Sequence, residues 1–308
     1  DVIKISPESR KNEMLGFIRG GLQDFSISRS VARAENWGVP VPNDPSQVMY
    51  VWVDALSQYI TALGFADDTA EYKKYWENAD ERLHVIGKDI LRFHAIYWPA
   101  FLLSAGLPLP TDIFVHGFFT VNGEKMSKSL GNVLDPAELV NEFGVEPIRY
   151  AFLKLLPLGS DGDISIVKIE ECYADLANGI GNLVSRVAAM AVKSFPEGLD
   201  RLAYDGASKE AAMKSAIETY DFRTYIETVW SVVDEANLKI DQEAPFKLVK
   251  VDREAAKKSL SELAAMIRWI AVALLPVMPE TTEKIQKRYA TDVIEVGEPL
   301  FPRRDTKA

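Results

Sequence analysis

Three short apolar runs rich in strand-forming residues punctuate the first 116 residues. They are Val48-Met-Tyr-Val-Trp-Val53, Leu83-His-Val-Ile86 and Ile113-Phe-Val-His116. A run that is apolar at every position suits a strand covered on both faces, as in a parallel sheet. The stretches that follow the first two runs, 54–63 and about 89–104, have helical spacing. The resulting β-α-β-α-β rhythm predicts an α/β fold, part of a doubly wound parallel sheet of Rossmann type. Such sheets bind ligands at the carboxyl ends of their strands. Asp54, Gly87-Lys88-Asp89 and His116-Gly117 occupy those ends. Residues 1–45 read as an entry segment with one helix, opened by Glu8 and stopped after Arg19 by Gly20-Gly21.

From about Ile166 the periodicity becomes purely helical. Segments 167–194, 206–220, 222–240, 245–250, 252–275 and 280–290 predict an α-helical bundle. Residues 117–165 would join the two parts, and Glu298-Pro-Leu-Phe-Pro-Arg-Arg reads as a tail. The expected division is therefore 1–116, 117–165 and 166–308.

The net charge of −10 over 308 residues argues against broad, non-specific nucleic-acid binding but leaves a local RNA-reading patch open. No apolar run approaches the length of a membrane span, and no signal peptide is visible. Cys172 is the sole cysteine, so no intrachain disulfide or cysteine-rich metal site can form. These features predict a cytoplasmic protein without a metal site of its own.

The most chemically specific stretch is His116-Gly117 through Asn132. At its centre lies Lys125-Met126-Ser127-Lys128-Ser129, just after Asn122-Gly123. Asn-Gly favours a hairpin turn with positive φ. Two lysines on such a hairpin suit the stabilisation of a polyphosphate as it leaves, since catalysis of nucleotidyl transfer is largely positioning and electrostatics. Gly131-Asn132 and the serines would keep the loop polar and pliant.

This stretch resembles the second signature of class I aminoacyl-tRNA synthetases. Nearly the whole chain resembles the methionyl-tRNA synthetase family within that class. The first signature of the class, His-x-Gly-His, is missing. His84-Val-Ile-Gly87 only mimics it, because Lys88 stands where the second His belongs. The chain is therefore expected to be the C-terminal part of a larger enzyme, with the N-terminal half of the catalytic domain as its missing partner. The resemblance implies ATP-dependent activation of L-methionine to the adenylate, with Mg²⁺ accompanying ATP, and transfer to methionine tRNA. The appended module that dimerises some relatives is not visible in the sequence, so a monomer is expected. Lys125 and Lys128, with Arg29 of the Phe-Ser-Ile-Ser-Arg segment, take the catalytic roles. Gly87, Asp89, His116, Gly117, Lys125, Met126, Ser127 and Lys128 are the expected ATP contacts.

On helical spacing, Ile90, Phe93, His94, Tyr97 and Phe101 share one face. Periodicity alone favours ordinary core packing there. By motif position, the resemblance instead makes Trp52, Leu56, Tyr59, Ile90, Phe93, His94 and Trp98 a methionine site, in which a polarizable sulfur meets ring edges. Further on, Asn178, Asn182 and Arg186 recur every four residues, opposite an apolar stripe of Ile169, Tyr173, Leu176, Ile180, Leu183 and Val187. On spacing alone this is a solvated face. The resemblance makes it an anticodon-reading helix, joined by Phe246 after Pro245, where the family usually has Trp. The lysine signature is shared with synthetases for leucine, isoleucine, valine and cysteine. The absent first signature also permits, as an alternative, a non-catalytic tRNA-binding fragment.

Overall fold

The computed structural model describes residues 2–127 and 131–302. They fall into two compact units that meet in sequence at Phe118 and Phe119.

The first unit holds a parallel sheet and a smaller antiparallel one. Strand β1 (Lys4–Ser6) is followed by α1 (Glu8–Arg19), as the capping signals require. Strands β2 (Ser28–Ser30), β3 (Pro40–Val41) and β4 (Asp44–Met49) form the antiparallel sheet, in the order β2-β4-β3. Then come α2 (Val51–Thr61), α3 (Ala70–Tyr72), β5 (Leu83–Gly87), α4 (Trp98–Ala105) and β6 (Asp112–His116). The parallel sheet has the order β1-β6-β5 and pairs Gly87 with His116 at its carboxyl edge. The α/β class is as expected, and strands 83–86 and 113–116 lie where the sequence puts them.

Three expectations need correction here. The run Val48–Val53 is not a buried parallel strand. It is the end of antiparallel β4 followed at once by α2, so Trp52 and Val53 are helical. A short apolar run cannot by itself separate a strand from a buried helix start. Here Asp54 in the first turn favours the helix by offsetting its dipole. The entry segment is not merely an entry, because β1 pairs with β6 within the parallel sheet. The helix read over 89–104 is not uniform. It opens with a 3₁₀ turn at Lys88–Ile90 and widens into a π turn at Phe93–Tyr97 before α4 begins. That extra residue per turn shifts the side-chain phase.

In the second unit, β7 (Phe119–Val121) and β8 (Glu124–Lys125) make a hairpin. Asn122 and Gly123 both have positive φ, as a tight hairpin of this sequence demands. Helices α5 (Pro136–Phe143) and α6 (Val145–Leu155) follow, then β9 (Gly162–Asp163), which pairs with β7. The remaining helices are α7 (Ile166–Leu176), α8 (Asn182–Ser194), α9 (Ala207–Glu218), α10 (Phe222–Glu243), α11 (Pro245–Leu248), α12 (Arg253–Leu274) and α13 (Pro279–Arg288). The single helix read over 167–194 is interrupted by a π turn at Ala177–Gly181. One core runs from Leu139 through the bundle to Phe301.

Residues 117–165 contribute directly to that core through Leu139, Phe143, Ile148, Tyr150 and Ala151. Buried Glu146 on α6 accepts hydrogen bonds from the Glu280 and Thr281 amides, at 2.6 and 2.9 Å, and from the Thr281 hydroxyl. A carboxylate at the first turn of α13 satisfies amides that have no partner within the helix. Arg149 donates to the carbonyls of Pro276 and Val277. The segment read as a tail is also packed rather than loose. Leu300 and Phe301 are buried in the core, and the Tyr173 hydroxyl donates to the Pro302 carbonyl at 2.9 Å. Burial of two large apolar side chains outweighs the disorder expected of a Pro- and Arg-containing end.

Candidate functional site

The first unit gathers an aromatic cage between α2 and the π turn. Trp52 stacks on Phe93 with centroids 3.9 Å apart and planes 8° from parallel. His94 meets the edge of Trp52 at 6.1 Å and of Tyr59 at 5.7 Å. Trp98 lies 6.2 Å from Tyr59, and Leu56 is fully buried in the same cluster. Six of the seven expected side chains therefore meet. Ile90 does not: it ends the 3₁₀ turn ahead of the π turn and packs with Met14, Leu91 and Ile113 under the sheet. Its backbone still serves the cage, since the Ile90 carbonyl accepts from His94 Nδ1 at 3.0 Å.

That bond fixes the chemistry of His94. A carbonyl can only accept, so Nδ1 carries the proton. Burial lowers the imidazole pKa, so the ring is neutral and Nε2 is an acceptor. The Tyr59 hydroxyl, 2.8 Å away, donates to it. Burial also raises the Tyr59 pKa, so the phenol stays protonated. The result is a polar but uncharged pair set among rings. Such a lining suits an uncharged, polarizable side chain and penalises a charged one through desolvation.

Two further cage residues went unread in the sequence. His84 lies 4.3 Å from Tyr59 and 5.6 Å from His94, and Trp76 lies 5.8 Å from Trp98. Burial, and to a lesser degree the neighbouring His94, lowers the His84 pKa to about 4. His84 Nε2 and Trp98 Nε1 are both buried without a hydrogen-bond partner among the described residues. The usable signal was the period of two along β5, which turns His84 and Ile86 inward and Leu83 and Val85 outward. Tyr59, Trp76 and His84 open onto a hollow of about 320 Å³.

The carboxyl ends of β5 and β6 bring Gly87, Asp89 and His116 together. A Cβ on Gly87 would stand 3.0 Å from Asp89 Oδ1 and 3.8 Å from His116 Cε1, so only glycine leaves that corner open. His116 Nδ1 donates to the Gly117 carbonyl at 2.8 Å. Arg29 donates to the carbonyls of Ser26 and Ser28 at 2.9 and 2.7 Å and lies over the Tyr50 ring at 4.2 Å. Tyr50 immediately precedes α2, so Arg29 is held beside the first turn that carries Trp52.

In the second unit, the lysine hairpin is braced from two directions. Asp163 accepts from the Gly123 amide at 3.2 Å and pairs with Lys168 at 2.8 Å. The Lys168 hydrogen bond leads the interactions that hold the Asp163 carboxyl below its usual pKa. The Asn132 side chain accepts from the Ser127 amide at 2.8 Å and donates to the Lys125 carbonyl at 3.2 Å. Asn132 thus clamps the base of the loop, where its polarity had suggested only pliancy. Lys125 is exposed, and Met126 and Ser127 are half-buried. Lys128 lies outside the described residues.

On the helical face, Asn178 and Asn182 are exposed and Arg186 is half-buried. Both asparagines line a hollow of about 340 Å³ whose other wall is Pro299, Leu300 and Phe301. Arg186 pairs with Asp241 at 3.6 Å, which ties α8 to the end of α10. Ala244, in a left-handed conformation, ends that helix and Pro245 starts α11. Phe246 next to it points outward, with 49% of its surface exposed. Among the described residues, no three His, Cys, Asp or Glu side chains cluster to hold a metal ion. No helix among them is long and apolar enough to cross a membrane.

Comparison with known proteins gives a consistent picture. The family described as tRNA synthetases class I (M) matches residues 3–188. A methionine–tRNA ligase of Clostridium acetobutylicum is 43% identical over 98% of this chain and 51% of its own length. One from Rhizobium meliloti is 44% identical over 91% of this chain and 56% of its own. A structure of Mycobacterium tuberculosis methionyl-tRNA synthetase in complex with methionyl-adenylate superposes with a TM-score of 0.84 at 37% identity, covering 97% of this chain and 64% of that one. The chain spans about half the length of the relatives it matches.

Proposed function

The chain belongs to the class I (M) tRNA synthetases, and from that premise we propose that it is the C-terminal portion of a methionine–tRNA ligase. The observation that carries this reading is the uncharged ring cage at Trp52, Tyr59, Phe93 and His94, built between α2 and the π turn that follows the glycine corner at Gly87. In the complete enzyme, methionine seats its thioether against the ring edges. The Tyr59–His94 pair keeps the lining polar without adding charge, and Asp89 faces the amino group. Gly87, His116 and Gly117 leave room for the nucleotide at the strand ends. Mg²⁺ enters with the phosphates of ATP. The methionine carboxylate attacks the α-phosphate, and pyrophosphate leaves. Lys125 and Lys128, with Met126 and Ser127, stabilise the charge that builds on it, and Arg29 supports activation from the side of Tyr50.

In this reading, residues 1–116 are the C-terminal half of the catalytic domain and 117–165 carry the lysine loop. Residues 166–308 read the anticodon through Asn178, Asn182, Arg186 and Phe246. Partners are L-methionine, ATP, methionine tRNA and the N-terminal half of the catalytic domain, in a cytoplasmic monomer. The exposure of Phe246 supports the stacking role over inward packing.

The test is ATP–pyrophosphate exchange in the complete enzyme. Replacing Lys125 and Lys128 together with Ala is expected to slow exchange by about 10²-fold or more, the usual cost of removing preorganised transition-state charge. Unchanged exchange would remove the lysines from the mechanism. Exchange supported by leucine, isoleucine, valine or cysteine in place of methionine would assign the chain to a different class I specificity. Asn182→Ala, Arg186→Ala and Phe246→Ala are expected to weaken charging at limiting tRNA while exchange persists.

A further inference from the structure

Trp37 is the most exposed aromatic side chain in the first unit, with 86% of its surface open. It stands on a turn that the chain holds in an unfavourable conformation. Glu35 and Asn36 have φ of 52° and 59°, and Gly38 has φ of 140°. Two consecutive non-glycine residues in the left-handed region persist only where surrounding structure fixes them. The turn is held by backbone hydrogen bonds from the Asn36 amide to the Val31 carbonyl at 3.0 Å and from the Trp37 amide to the Ala34 carbonyl at 2.9 Å, and at Gly38 an added Cβ would lie only 3.0 Å from the Val48 side chain of β4. Trp37 is thereby held out in solvent on a rigid mount. Its indole makes no hydrogen bond or ring contact among the described residues.

The same turn walls a hollow of about 670 Å³ lined by Arg29, Arg33, Trp37, Tyr50, Val51 and Asp54, among others. Two guanidiniums face one carboxylate there, so the hollow is net positive in a chain whose total charge is −10. Arg29 is already engaged with Ser26, Ser28 and Tyr50. The Arg33 guanidinium has no partner among the described residues. An exposed indole beside an uncommitted guanidinium is what binds a stacked base and its phosphate in single-stranded nucleic acid. Position strengthens the case. Val51 and Asp54 of this hollow lie on the first turn of α2, the turn that also supplies Trp52 to the cage.

We propose that this hollow receives the unpaired 3′ end of the tRNA, with a terminal base on Trp37 and a phosphate at Arg33. The inference rests on the ligase reading above. Transfer requires the 3′-terminal ribose to reach the acyl-adenylate, so a single strand has to be guided to the edge of the cage. A rigid aromatic with an adjacent cation does that without reading sequence.

The experiment compares charging and activation in the complete enzyme carrying Trp37→Ala, Trp37→Phe or Arg33→Ala. kcat/KM for tRNA is expected to fall about 10-fold for Trp37→Ala, within the range for loss of one stacking platform, and to recover in part with Trp37→Phe. Arg33→Ala is expected to reduce the slope of log affinity against log salt by about 0.7, the value for one phosphate contact on a single strand. Methionine-dependent exchange should stay within about twofold for these variants. Binding of a tRNA trimmed of its unpaired 3′ nucleotides should be the same for variants and parent. Unaltered charging would overturn the proposal. So would a parallel fall in exchange and thermal stability, which would show Trp37 packing against upstream polypeptide, or equal weakening of trimmed and complete tRNA. A parent enzyme without methionine-dependent exchange would instead sink the ligase reading itself.

Discussion

The two units bury their apolar residues differently. The first divides its interior into two cores of six buried residues each, one under the parallel sheet around Met14, Ile86 and Val115, the other around Leu56, Trp76 and Trp98. The second has one continuous core built from α5 to the C-terminal segment, with interhelical polar bonds such as Tyr289 to the Val184 carbonyl at 2.7 Å. Small cores leave the first unit with wide apolar exposure at Trp37, Val51 and Val85. The hydrophobic term scales with area removed from water, so the bundle is the stability reservoir of the chain. The unit that carries the ring cage is thinly supported. Binding surfaces and marginal packing coincide there because a cage open to a ligand cannot also be filled by side chains.

The largest expected effect tests that contrast directly. Leu183→Ala, at a fully buried position on α8, should destabilise the bundle by about 3 kcal/mol or more, as cavity-forming substitutions do. In a denaturant titration followed by two probes, the shift should be confined to the later of two transitions. A single coincident transition would break the contrast.

Next in size is a pH effect confined to the first unit. His84 is held at a pKa of about 4, below the 6.5 of an unfolded histidine. Between those values the unfolded chain binds a proton that the folded chain refuses. Stability from this site is therefore undiminished above pH 6.5 and declines as pH falls toward 4, by a total on the order of 3 kcal/mol. His94, also lowered by burial, acts in the same direction. Melting curves from pH 7 to 4 should show the first unit losing stability sooner than the bundle, and His84→Gln should flatten that slope. An unchanged slope would mean that His84 is solvated.

The smallest effect sharpens the reading of the cage. Tyr59→Phe removes one hydroxyl that donates to His94 and leaves Nε2 buried without a donor. A loss of about 1 kcal/mol, or roughly a five-fold rise in KM for methionine in the complete enzyme, is expected with kcat nearly preserved. A fall in kcat at constant KM would give Tyr59 a role in the transition state instead.

Local chemistry was the readable part. Asn122-Gly123 declared a hairpin because few other pairs tolerate two positive φ values, and the helix from Glu8 to Arg19 carried its own start and stop signals. The stripe from Ile169 to Val187 declared a bundle face through its period. The cage was half-legible. Its rings could be named from spacing and resemblance, but His84 was set aside as a failed motif, and the packing of Ile90 under the sheet was decided by tertiary structure.

What sequence alone determined is the class of the fold and the kinds of residue available for chemistry, since both follow from patterns within a turn or a strand. Only tertiary structure decided the rest. Whether Val48–Val53 is strand or helix depended on β2 and β3 lying alongside β4. The phase of His94 depended on a π turn, and the end of the chain became core because Leu300 and Phe301 found a groove beside Asn178 and Asn182. In each case the deciding energy came from partners distant in sequence, and no local pattern encodes those.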